Sequence, residues 1–175
     1  MNIQIGQYII REWEADDKNA LVKYADNPKI ASNLRDVFPS PYTKNDAKEF
    51  LSIATASRPT TIFAIATISE AIGGIGLTIG KDVYRLTAEL GYWLAEAYWG
   101  KGIMTSAVTA ITEIAFKQFG LNRVYAEPFM SNTASVRILE KAGFQLEGRL
   151  RASVIKNGQV LDQLLYSKVK EGVMV

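Results

Sequence analysis

The spacing of apolar and polar positions changes several times along the chain, and each change marks an element. "GQYIIREW" (Gly6 to Trp13) predicts a first strand. "DDKNALVKYADNP" predicts a helix with acidic residues at its start and a stop at Asn27-Pro28. "SPYTKNDAKEFLSIATAS" predicts a second helix, with Thr43 as N-cap and Asp46 three residues on, in the manner of a capping box. The loop between these helices, Ile30 to Tyr42, is rich in polar and aromatic residues. "TTIFAIAT", "IGGIGLTI" and "RLTAELGYWLA" predict strands, the first two antiparallel across a tight turn near Ser69-Glu70. A long helix follows from Lys101 to about Phe119. Ile103, Met104, Ala107, Val108, Ile111, Ile114 and Ala115 fall on one of its faces. "NRVYAEP" predicts a short buried strand. "NTASVRILEKAG" predicts a helix with Asn132 as N-cap and Gly143 just past its end. "GRLRASVIKNGQVLDQLLYSKV" predicts a hairpin turning at Asn157-Gly158.

The order is β-α-α-β-β-β-α-β-α-β-β, an antiparallel meander leading into one β-α-β crossover. It predicts an α+β fold, with a mixed, mostly antiparallel sheet of about seven strands and about four helices. The 175 residues, 48% of them hydrophobic, fit a single domain over 1–175 with a sizeable core. No repeat, low-complexity segment or linker interrupts the chain.

Charge and composition narrow the chemistry. Twenty basic and 18 acidic residues are well mixed and leave a net charge of +2. A nucleic-acid binder would show a basic face or run. No signal peptide is legible in Met1 to Ile10, and no apolar stretch approaches the ~18 residues of a membrane span. The expectation is a soluble, cytoplasmic protein with no membrane partner. There is no cysteine and no histidine. That removes disulfides, thiol nucleophiles, Cys/His zinc sites and the commonest general base. Acid–base chemistry is left to Asp, Glu, Tyr, Lys, Ser or water, and no metal is expected.

One stretch raises a question of its own. In "ELGYWLAEAYWGKGIMTSAV", Gly100 and Gly102 stand directly before an apolar helix, where glycine costs about 1 kcal/mol relative to alanine. An ordinary tight strand-to-helix turn would account for them. So would anion binding. Backbone N–H groups at a helix start carry the positive end of the helix dipole, glycine lets a phosphate approach closely, and Lys101 adds charge. Neither GxxxxGK[ST] nor GxGxxG is matched, so the phosphate ligand belongs to neither of those classes.

The stretch resembles the pyrophosphate loop of the GNAT superfamily of acetyl-CoA-dependent N-acetyltransferases. That motif is Q/R-x-x-G-x-G/A, with Trp99 in the first place, Gly102 in the fourth and Met104 in the sixth. Trp99 and Met104 depart from it. The resemblance extends through "NRVYAEPFMSNTASVRILEKAGFQLEGRLR" and the hairpin ending "LDQLLYSKV". Together these are similar to the ribosomal-protein N-terminal acetyltransferase (RimJ/RimL-like) branch, in which "YWGKG" is a familiar form of the loop. The resemblance runs from "YIIREW" to "LLYSKV" and implies a GNAT-like fold with acetyl-CoA as co-substrate.

It also implies roles. Backbone N–H groups over Trp99, Gly100, Lys101, Gly102, Ile103, Met104 and Thr105 would bind the CoA pyrophosphate. The Met104 side chain would then have to point away from the phosphates. Pantetheine would pair with the main chain of Tyr92, Trp93 and Leu94, where this strand splays from "RVYAE". The side chains of Tyr92 and Trp93 are read as core packing. Asn132, an N-cap in its own right, would also reach the pantetheine arm. Ser135, which could merely support the helix start, takes the place of a thiolate-protonating Ser in some members of the branch. The Tyr that many GNAT enzymes use seven residues after the Asn is Leu139 here, and Tyr125 and Tyr166 are spare candidates. Glu89 sits in an otherwise uncharged run just before Gly91, where a bulge could re-aim side chains. It could be a solvated strand position. In the branch, a Glu at this place is the proposed general base.

An α-amine, with a pKa of about 7.7–8.0, is deprotonated more easily than a lysine side chain near 10.4. That favours a protein N-terminus such as that of a ribosomal protein, as the branch implies. Polyamines, aminoglycosides and amino acids stay open as acceptors, as does a non-catalytic acyl-CoA-binding module. Asp36, Tyr42 and Asp162 are candidates for the acceptor groove. The assembly expected is a monomer or homodimer.

Overall fold

The computed structural model describes residues 2–56 and 58–173. It opens with β1 (Asn2–Ile5) and β2 (Tyr8–Glu12), an antiparallel pair with Ile5 opposite Tyr8. Then come α1 (Lys18–Ala25), a single helical turn α2 (Pro28–Ala31) and α3 (Lys44–Ala56). Strands β3 (Ile62–Ala66), β4 (Ala71–Ile79) and β5 (Thr87–Leu94) follow, then α4 (Ile103–Lys117) and β6 (Arg123–Ala126). The chain closes with α5 (Thr133–Lys141), β7 (Gln145–Lys156) and β8 (Gln159–Val169). Hydrogen-bonded strands follow the order β1-β2-β3-β4-β5-β6-β8-β7. Pairing is antiparallel for β1–β2, β2–β3, β3–β4, β6–β8 and β7–β8, and parallel for β5–β6.

The chain forms two compact units, Met1–Gly76 with Tyr92–Ala107, and Leu77–Gly91 with Val108–Val175. In the first, α1 and α3 turn their small and apolar faces (Ala20, Leu21, Ala25, Ala47, Leu51, Ala54) into a cluster with Trp13, Tyr42, Ala64 and Ala71. Trp93 and Phe38 pack at its margin. The α3 start is fixed as its sequence requires. Thr43 N–H donates to Asp46 Oδ2 at 2.7 Å, and Asp46 N–H donates back to Thr43 Oγ1 at 3.3 Å. The predicted helix extends to Ser57, which lies outside the described residues.

In the second unit the anticipated apolar face of α4 continues into the core, where Val108, Ile111 and Ala115 are fully buried. Leu121, Val124, Leu139 and Phe144 pack in the same unit. The last hairpin turns at Asn157 (φ +50°) and Gly158 (φ +74°), the two adjacent left-handed residues of a type I′ turn.

Two features depart from the sequence reading. An eighth strand, β1, precedes the expected first one, joined to it through Gly6 at φ +65°. Asn27-Pro28 also starts an element as well as ending one. Asn27 Oδ1 accepts the Lys29 N–H at 2.9 Å, and Pro28 occupies the first position of α2.

Candidate active site

In the first unit the site grows out of the end of β5. Ala95 N–H donates to Ile72 O at 2.8 Å, and the chain then tightens into one 3-10 turn over Glu96–Tyr98. The Glu96 carboxylate accepts from Lys29 Nζ and from Asn27 Nδ2, which together hold it below the usual carboxylate range. The Tyr98 ring stands edge-on to Tyr8 and Tyr24, 6.2 Å from each. Trp99 Nε1 donates to Leu94 O at 2.7 Å, so the ring that replaces the family's Gln/Arg folds back on the strand and pins the loop.

Gly100 and Gly102 adopt φ +73° and +75°, the left-handed region that side chains avoid. A Cβ built on either would meet nothing within 4 Å. Gly102 O accepts the Ser106 N–H at 3.1 Å and so opens α4. The N–H groups of Ile103, Met104 and Thr105 form the first turn, at the positive end of a 15-residue helix. The side chains of Ile103 and Met104 are 3% and 4% exposed. Met104 thus turns inward, and its departure from the family's small residue leaves the loop's open side clear. Lys101 is exposed, its Nζ 5.1 Å from the Tyr98 ring centroid.

Upstream, Tyr92 and Trp93 are half-buried and Leu94 is buried. The Trp93 ring packs 5.8 Å from Phe38 and covers Gly74, where a Cβ would lie 2.8 Å from its Nε1. That is the core role its side chain was given. Gly74 also makes room for Trp13, whose ring meets Phe50 edge-on at 5.2 Å. Sequence reasoning missed this pairing; the only mark of it was the "GG" inside a strand.

In the second unit, Glu89 is half-buried and stands opposite Tyr125 in the parallel β5–β6 ladder. The ladder runs Thr87–Arg123, Ala88–Val124, Glu89–Tyr125, while β5 itself continues to Leu94. Glu89 is the last residue of β5 in this ladder, and its partner Tyr125 stands one residue before β6 ends at Ala126. Asn132 Oδ1 accepts the Ser135 N–H at 3.1 Å, an N-cap bond, and Ser135 is half-buried at the third residue of α5. Leu139 is fully buried, so the place of the usual Tyr is part of the core. Tyr166 is buried, its hydroxyl donates to Glu140 Oε1 at 3.0 Å, and burial together with that carboxylate raises its pKa. Tyr125 is half-buried under the Arg123 guanidinium, 5.0 Å from its ring centroid.

The acceptor candidates separate. Asp36 is exposed. Tyr42 is buried against Phe38, its N–H donates to Asp26 Oδ1 at 2.9 Å, and burial pushes its hydroxyl up to about 12. Asp162 accepts the Ala152 N–H at 2.7 Å and pairs with Arg149, which makes it a structural anchor. Among the described residues, no group of three or more His, Cys, Asp or Glu side chains is gathered as metal donors.

A mixed sheet with one parallel crossover, whose β5 ends in a glycine loop opening a helix, defines the acetyltransferase class of fold. Residues 7–145 match the family model described as an acetyltransferase (GNAT) domain, and the chain belongs to that family. It is 28% identical over 167 residues to an uncharacterized N-acetyltransferase, p20, of Bacillus licheniformis, covering 92% of both chains. It is 31% identical over 108 residues to the ribosomal-protein-serine acetyltransferase of Escherichia coli, covering 62% of this chain and 60% of that one. Among solved structures, RimL, a ribosomal L7/L12 α-N-protein acetyltransferase in complex with coenzyme A, superimposes with a TM-score of 0.86 at 18% identity. That match covers 97% of this chain and 98% of the other.

Proposed function

We propose that the protein moves the acetyl group of acetyl-CoA directly to a primary amine, and that the acceptor is the N-terminal α-amine of a protein. The observation that carries this reading is the Gly100–Gly102 loop, with its two left-handed glycines facing open space at the start of α4. Backbone N–H groups of Trp99 to Thr105 hold the pyrophosphate, and the main chain of Tyr92 to Leu94 together with Asn132 holds the pantetheine arm. Glu89 accepts the proton of the acceptor ammonium, and the free amine then attacks the thioester carbonyl. The C–N bond forms as the C–S bond breaks, and the nitrogen releases its second proton to solvent as the amide forms. The thiolate leaves with the bonding pair and takes a proton from Ser135, which recovers one from solvent. The ribosomal-protein acetyltransferases among the relatives support the choice of acceptor.

The test follows release of CoA thiol with a panel of N-terminal peptides, polyamines and amino acids. Turnover is expected with peptides. Turnover with polyamines alone would overturn the acceptor, and CoA binding without any turnover would make the protein an acyl-CoA-binding module. Glu89→Gln tests the base. A positioned base contributes about 10²–10⁴-fold, so the loss should be greatest near about pH 6.5, where the acceptor is protonated, and partly recovered above its pKa of about 8. Equal impairment at about pH 6.5 and about pH 9 would remove Glu89 from that role.

A further inference from the structure

The β7–β8 hairpin leaves regular register twice, by one residue between Leu146 and Gly148 and by a longer insertion between Leu150 and Val154. Leu150 pairs with Gln163 and Val154 with Leu161, so Arg151, Ala152 and Ser153 together oppose Asp162 alone. This insertion is built. Asp162 Oδ1 accepts the Ala152 N–H at 2.7 Å, and Oδ2 accepts Arg149 Nε at 2.5 Å. Ser153 Oγ donates to Gln163 Oε1 at 3.1 Å, and the buried Gln163 passes the tie on through Nε2 to Glu127 O at 2.9 Å. Met130 N–H donates to Asp162 O at 2.9 Å, and Leu164 N–H to Pro128 O at 3.0 Å. The bulge is therefore strapped to residues 127–130, the segment that runs straight into the Asn132 cap.

Ala152 is held at φ +50°, a conformation that L side chains rarely adopt. Strain that the surroundings over-determine in this way points to a use. What the insertion delivers to solvent is Arg151. The Asp162 carboxylate is already occupied by Arg149 and the Ala152 N–H, so the bulge balances its own charge without Arg151. Arg151 lowers the Asp162 pKa from a distance, and among the described residues it makes no hydrogen bond or ion pair. A planar guanidinium presented this way matches a carboxylate, which it can bind through two parallel N–H groups.

We propose that Arg151 recognises a carboxylate on the amine acceptor, an acidic side chain within the first few residues of the protein N-terminus that is acetylated. The inference rests on the acceptor reading above. The α-carboxylate of a free amino acid offers the same chemistry, and the test separates the two.

KM would be measured for short peptide amides carrying Glu, Gln or Lys at the second or third residue, and for free amino acids against their amides. The wild type should favour Glu over Gln by about fivefold in KM, the size of a well-formed exposed ion pair. Arg151→Gln should erase that preference with kcat unchanged, and Arg151→Glu should turn it toward Lys. Ala152→Gly relieves the strained residue and should keep the preference. Equal KM values for the Glu and Gln peptides in the wild type, or a preference that survives Arg151→Glu, overturns the assignment while leaving peptide acetylation intact. Dependence on the free α-carboxylate, lost in Arg151→Gln, assigns the partner to amino acids and overturns the N-terminal segment. If no peptide turns over, the acceptor reading fails. Calorimetry of the same Glu and Gln peptides on CoA-loaded protein then decides for Arg151, with an Arg151-independent affinity counting against it.

Discussion

Two glycine pairs look alike in the sequence and are needed for opposite reasons. Gly73 and Gly74 lie buried in β4, where a Cβ would stand 2.5 Å from Trp93 O and 2.8 Å from Trp93 Nε1. Gly100 and Gly102 follow β5 at positive φ, where a Cβ would stand in open space. The first pair is glycine because the protein occupies the space. The second is glycine because the backbone turns left-handed and the protein leaves the space clear. A close approach by the chain's own atoms makes a core, and a close approach left available makes a candidate site. Asn157-Gly158 sharpens the distinction. Its two φ values are also positive, but they are adjacent and are consumed by the hairpin turn, with no helix start behind them.

The largest effect that would test this difference belongs to Gly73. In Gly73→Ala the new methyl meets a backbone oxygen, which no rotamer can move aside. Overpacking of this kind costs about 1–3 kcal/mol, and the upper end is expected here. A urea titration would show it as a lowered midpoint with an unchanged slope. A midpoint equal to the wild type's would mean that β4 and Trp93 have more room than the structure gives them.

Gly102→Val comes next. Its left-handed backbone costs an L residue about 1–2 kcal/mol, without any steric collision to add to it. Its main effect is expected on the ligand. CoA affinity measured by calorimetry should fall by about tenfold or more, equivalent to at least about 1.4 kcal/mol. Normal binding would take the loop out of the cofactor site. Gly73→Ala and Gly102→Val should thus divide, one losing mostly stability and the other mostly affinity.

How much of this was legible in advance follows the range of the interactions. The α3 capping box, the Asn132 cap and the Asn157-Gly158 turn are set by residues within three or four positions of one another, and all three stand where the sequence puts them. The buried face of α4 was legible because its period persists for four turns. Strand β1 was not, because four residues with one buried side chain carry almost no pattern. The bulge at Arg151–Ser153 was not, because it is a choice of pairing register made by Asp162 on the opposite strand. Of the site, the glycine loop could be read from composition and position. The inward turn of Met104 could be read from its place on the apolar face of α4, whereas the loop's open surroundings could not, since they depend on side chains distant in sequence.

The smallest effect expected is that of Lys101→Ala, and its smallness is informative. Lys101 stands between the two glycines and is the obvious charge with which to attract a phosphate. If the site works through charge alone, its removal should weaken CoA binding strongly and flatten the salt dependence. The structure instead holds Lys101 Nζ over the Tyr98 ring in an exposed position. An exposed cation–π contact contributes little, and what the loop offers a phosphate is main-chain N–H groups at a helix start. Calorimetry at two salt concentrations should therefore find CoA affinity within about threefold of the wild type's, well short of the Gly102→Val loss. A loss equal to or larger than that of Gly102→Val would reverse the comparison. The glycines would then serve the turn, as Gly158 does, and the lysine would be the anion-binding element.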